Sequence, residues 1–141
     1  MTAKPTEMAI HTNVTLRLLG KDLEPEEVST AMGMAADRSH KKGDPVRARK
    51  SAVRDTGYWS ATSSTHMAGT EDINKHIAWL VALVTPRRPL LLSYQQRGWT
   101  VDVWIGVHTN AGHGGPVVHP DALVALGNIG LAVCLDLYPD A

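Results

Sequence analysis

The chain has 141 residues, 43% of them hydrophobic, enough for one domain with a continuous core. Its 14 basic and 14 acidic side chains cancel, which excludes a global field drawing in nucleic acid or an anionic membrane. A lone cysteine, Cys134, allows neither an internal disulfide nor a cysteine-built zinc site, so a reducing, cytoplasmic home is expected. No run of about 18 apolar residues fit to cross a bilayer occurs, and the opening MTAKPTEMAIHTN does not read as a signal peptide.

Residues 1–10 are polar and are expected to form a frayed tail before a single domain over 11–141. Val14, Leu16 and Leu18 then alternate with Thr15 and Arg17, the period of a strand with one buried face, and Gly20 ends it. Pro25, Glu26 and Glu27 start a short helix, with Val28 and Met32 one turn apart. Gly33 is its left-handed stop, and Met34 is placed to pack back over the last turn. From Arg38 to Arg54 the chain reads as a strand edge followed by a loop, turned by Gly43, Asp44 and Pro45. Tyr58 and Trp59 centre a short strand over 56–63.

The clearest helix is expected over 70–85, capped by Thr70 with Glu71 and Asp72 in its first turn. Ile73, Ile77, Leu80, Val81 and Val84 form its apolar stripe, Ile77 facing the sheet, and Pro86 stops it. The run Leu90 to Leu92 is too short to classify, fitting an edge strand or a packed loop. Trp99, Val101, Val103, Ile105 and Val107 alternate in the most regular strand. Beyond a glycine-rich loop, Pro120 and Asp121 start another helix, with Leu123 and Leu126 as its stripe and Gly127 and Gly130 as stop signals. Leu131, Val133, Leu135 and Leu137 share one face of the closing strand.

These elements predict an α+β fold, a two-layer sandwich in which a mostly antiparallel sheet of about five strands carries two or three helices on one face. Pro25-Glu26-Glu27-Val28 matches Pro120-Asp121-Ala122-Leu123 in kind, which suggests a strand-helix-strand pseudo-repeat.

The segments GKDLEPEEVSTAMGM, KKGD, GYWSATS, EDINKHIAWLVALV, the GGP turn and PDALVALGNIGLAVCLDLYPD follow one another from about Asn13 onward. In order and spacing they resemble the bacterial domain of unknown function 4279. The resemblance implies one bacterial domain of this length and carries over no catalytic residue, because that family has no assigned activity.

Half of the 14 basic residues, Arg38, Lys41, Lys42, Arg47, Arg49, Lys50 and Arg54, crowd into one loop. Such loops are most often simply solvated; as a site, this one suits an acidic protein partner better than nucleic acid. Only Tyr58 and Trp59 could supply stacking for a nucleic-acid base. The first candidate binding set is therefore Arg47, Arg49, Lys50, Arg54 and Trp59.

A second set is Arg17, Asp102 and Asp136, which fall on alternate strand faces together with Trp104 and Cys134. It reads either as an ion pair on a solvated sheet face or as a binding surface. Cys134, between Val133 and Leu135, is expected to be a small buried hydrophobe rather than a nucleophile. His108, His113 and His119 are the metal candidates, but their spacing matches no helical zinc motif. No metal and no cofactor is expected. Gly112, Gly114 and Gly115 read as a turn rather than a phosphate cradle.

The function expected is a non-enzymatic protein-interaction module of the toxin-neutralising or accessory-subunit type. The alternative is a small enzyme or ligand-binding domain using the His-rich loop or the Arg/Asp sheet face. A deep polar pocket favours the second and a flat charged surface the first.

Overall fold

β1 (Ile10–Gly20) lies at the centre of the sheet in the computed structural model, which describes residues 10–46, 51–67, 69–109 and 115–139. After it come α1 (Pro25–Met32), β2 (Arg38–His40), β3 (Gly57–Thr62), the single turn α2 (Ser63–His66), and α3 (Ile73–Val84). A 3-10 turn (Thr85–Arg87) leads into α4 (Arg88–Gln96), β4 (Thr100–Thr109), α5 (Pro120–Asn128) and β5 (Ala132–Pro139). The sheet order is β2-β3-β1-β4-β5, antiparallel except between β4 and β5. The fold is α+β, with more helices than expected.

Alternation decides which side is covered. Val14, Leu16 and Leu18 of β1 lie level with Trp59 and Ala61 of β3 and with Val101, Val103 and Ile105 of β4, all buried. Val28 and Met32 of α1 and Ile77, Leu80 and Val84 of α3 close the core from the helix layer. Pro25 sits in the first turn of α1, and Gly33 ends it at φ 73°, its N–H reaching Ser29 O while Met34 N–H returns to the same carbonyl.

Three local expectations change. The cap of α3 is Asp72, whose carboxylate accepts the Asn74 N–H, while Thr70 accepts the Asp72 N–H one step earlier. Leu90 to Leu92 is helical: Pro86 interrupts α3, and Pro89 in the first turn of α4 restarts the spiral, burying Leu91 and Tyr94 three residues apart. In α5, Leu126 is buried and Ile129 just beyond the helix joins it, whereas Leu123 is exposed.

The two halves share an order of elements but not an arrangement. β4 and β5 are direct parallel neighbours across α5, whereas β3 lies between β1 and β2. At the β5 edge, Val133, Leu135 and Leu137 stand level with Val103, Ile105 and Val107 on the helix side, yet they are exposed. The reason is placement: α5 packs beside α3, inward of β5.

Candidate binding surface

Residues alternating with the core positions build the opposite face of the sheet: Asn13, Thr15 and Arg17 on β1, Tyr58, Ser60 and Thr62 on β3, Asp102 and Trp104 on β4. No helix among the described residues packs over its middle; α2 borders its rim through Ser64 and Thr65. Three hollows join across it. The largest, 1150 Å³, is lined by Arg38, His40, Arg54 and Tyr58 among others. It shares Asp37, Arg38 and Tyr58 with a 350 Å³ hollow over Thr15 and Thr62, which meets through Asn13 and Ser64 a 310 Å³ hollow at His11, His108 and Tyr138. The result is one shallow trough running from β2 to β5, polar at β2 and in the middle and more apolar at its β5 end.

Arg17 and Asp102 are cross-strand partners, joined by a bidentate pair at 2.9 and 2.7 Å. The guanidinium also lies 4.4 Å over the Trp104 ring. The hydrogen bond to Asp102, working against burial, holds the Arg17 pKa above its ordinary value. Beneath it, Trp104 Nε1 is buried with no acceptor among the described residues. Asp136 does not join this pair, because parallel register sets it beside Gly106, four residues along from Asp102, where Tyr138 donates its hydroxyl to it. That bond pushes the Tyr138 phenol pKa up. Cys134 lies beside Trp104 and is half-buried, more open than expected, because β5 is an edge.

Of the basic-loop set, Arg47, Arg49, Lys50 and, in the other loop, His113 lie outside the described residues. Arg54 closes a small hairpin by backbone bonds to Gly43 and Asp44, and its side chain lines the largest hollow. Trp59 is a correction: it is 0% exposed, and its indole N–H donates to Ser29 Oγ at 2.9 Å. Once Tyr58 faces the trough, its neighbour must face the helices. Tyr58 is the aromatic that a partner can touch, and it stacks on His40 with centroids 5.3 Å apart. Burial, helped by the charge of Arg54, depresses the His40 pKa and keeps it neutral at neutral pH.

The carboxylates of the trough are mostly occupied within the chain. Asp37 accepts from Thr62 N–H and pairs with His66, Asp44 accepts from Lys41 N–H, and Asp102 and Asp136 are bound as above. Arg38 and Arg54 make no such side-chain bond among the described residues, and neither does Asp55. The uncommitted charge is cationic on balance.

His108 sits 6.0 Å from the His11 ring, and His119 precedes α5 with its N–H on Asn74 Oδ1 at 2.8 Å. Among the described residues no three His, Cys, Asp or Glu side chains converge on a metal position. Sequence reasoning missed the pair Ser63 and His76, both buried. Ser63 Oγ accepts the Val14 N–H at 2.9 Å and lies 2.5 Å from His76 Nδ1, while His76 Nε2 lies 2.8 Å from Thr70 O. A carbonyl only accepts, so Nε2 carries the proton and Nδ1 takes that of Ser63. The hydroxyl is thus committed and closed to solvent, a structural link rather than a nucleophile.

No helix among the described residues is long and apolar enough to cross a membrane. A family model described as a domain of unknown function (DUF4279) matches residues 9–140. No curated protein and no solved structure matches the chain.

Proposed function

The chain belongs to that domain of unknown function family, and from the geometry of its uncovered face we propose that it is a non-enzymatic protein-interaction module whose partner lays an acidic, extended segment along the trough. The observation that carries this reading is the imbalance of commitments: among the described residues Arg38 and Arg54 line the largest hollow without a carboxylate partner, with Asp55 as the one unbonded carboxylate beside them, while Asp37, Asp44, Asp102 and Asp136 are hydrogen-bonded within the chain. From β2 to β5 is four strand spacings, about 19 Å, which a segment of about six extended residues spans. Tyr58 offers it an aromatic surface, and Thr15 and Asn13 offer hydrogen bonds. Such a protein acts by occupying a partner's surface, as a toxin-neutralising or accessory subunit does, and its single cysteine suits the cytoplasm.

The test is a calorimetric titration with a Glu/Asp-rich peptide of about eight residues, against its Gln/Asn counterpart. The acidic peptide alone should bind. Arg38→Glu with Arg54→Glu should weaken it about tenfold or more, and added salt should weaken it further. Equal binding of both peptides, or an unchanged affinity in the double variant, rejects the reading.

A second reading, a small-ligand site, is favoured by one observation: among the described residues the buried Trp104 indole N–H faces no acceptor. Against it, Arg17 and Asp102 satisfy each other.

A further inference from the structure

β5 is an edge strand with few of the usual protections. Native edges are blunted by lysine, proline, bulges or brevity, yet β5 reads AVCLDLYP, with no Lys or Arg and its one proline, Pro139, at the last position, and it pairs with β4 in unbroken register. The opposite edge, β2, is only three residues long. On the helix side, Leu135 and Leu137 are each 65% exposed and Val133 39%; α5 adds Leu123 at 56% and Val124 at 63%. The three β5 side chains thus leave a continuous apolar row open beside an unpaired backbone edge.

We propose that this edge is completed by a second copy of the chain, β5 pairing antiparallel with β5 of its partner about a two-fold axis through Leu135. Several observations select a copy and this register. The helix-side residues of the strand, Val133, Leu135 and Leu137, are all aliphatic, so the row matches itself and offers a charged partner nothing. With Leu135 on the axis, Val133 meets Leu137 of the partner subunit, and the bulky Tyr138 meets the small Ala132 of the partner subunit. Asp136, the one charged residue of the strand, meets Cys134 of the partner subunit; moving the axis to Asp136 would oppose two carboxylates. The register therefore pairs 132–138, leaves Pro139 just beyond the pairing and sets no like charges opposite each other. The pairing makes one ten-stranded sheet with both helix layers on one side and both troughs on the other.

Sedimentation velocity on the full chain over roughly 1–100 µM tests this. The chain should reach twice the 15.2 kDa of one copy, and Leu135→Asp with Leu137→Asp, at exposed positions, should return it to one copy with an unchanged far-UV spectrum. A register test runs beside it. Asp136→Cys puts a thiol opposite Cys134 of the partner subunit, within disulfide reach, whereas the two native thiols lie diagonally about 7–8 Å apart. Mild oxidation should cross-link this variant and leave the native chain uncross-linked. A single copy at the highest concentration, a dimer that survives the double aspartate variant, or a native chain that cross-links as readily as the variant would each overturn the proposal.

Discussion

The hydroxyl of Ser63 stands where β3 would have to continue if it were to pair with the first half of β1. The ladder between these strands ends at Thr15 and Thr62, and beyond it Val14 N–H turns to Ser63 Oγ and Thr12 N–H to Glu71 Oε1. Ser63→Ala strips two buried partners at once, the Val14 amide and His76 Nδ1, and should cost about 2–4 kcal/mol in urea denaturation with an unchanged m-value. Ser64→Ala, one residue on and exposed, should stay within about 0.5 kcal/mol. A Ser63→Ala variant as stable as the parent would show that the hydroxyl does not complete the ladder. None of this was legible beforehand, because Ser63 and His76 carry no local pattern. Their meeting depends on where β3 stops and on how α3 lies over β1.

At the scale of elements, alternation and capping chemistry were readable wherever one residue decides the backbone. Leu16 and Val103 face the core as their period requires, and Gly33 ends α1 in the left-handed region. Close approach was not readable. At the β1–β3 crossing Gly20 faces Gly57, and a Cβ on Gly57 would come within 2.1 Å of Leu23 O. Gly57→Ala must therefore move backbone and should destabilise by about 1–3 kcal/mol. Gly106→Ala should instead be stabilising by about 0.5–1 kcal/mol, because its Cβ would meet Asn13 at an ordinary 3.8 Å. Thermal melts of the two variants moving in the same direction would contradict this contrast. Period also said that Val133, Leu135 and Leu137 share a face without saying whether a helix covers it. Coverage is a property of how α5 sits on α3, far from β5 in its contacts though next to it in sequence. For the same reason an ion pair among Arg17, Asp102 and Asp136 could be anticipated but not which carboxylate Arg17 meets, since the register joins Arg17 to a residue 85 positions away.

Across the whole molecule, carboxylates tie the sheet to the helix layer and make the fold sensitive to acid. Asp22 accepts from Trp99 Nε1 and Arg97, which hold its pKa below the ordinary range. Burial pushes Glu71 up, but the Thr12 N–H and His11 outweigh it, so its pKa also lies below the usual 4.5. A carboxyl group depressed on folding contributes stability above its unfolded pKa and loses it as pH falls through the folded value. Stability should hold from neutral pH to about 4.5 and decline below it. Glu71→Gln should flatten that decline when urea midpoints are followed from pH 7 to about 3; an unchanged slope would assign the acid sensitivity elsewhere. The short β2 strand carries a further consequence, for growth. A sheet with two open edges can add copies without limit, and such chains become fibres. Here, among the described residues, one edge offers three residues and the other eight, so pairing the longer one consumes the longer template of the described sheet, and the assembly has a ceiling of two copies rather than a direction in which to extend.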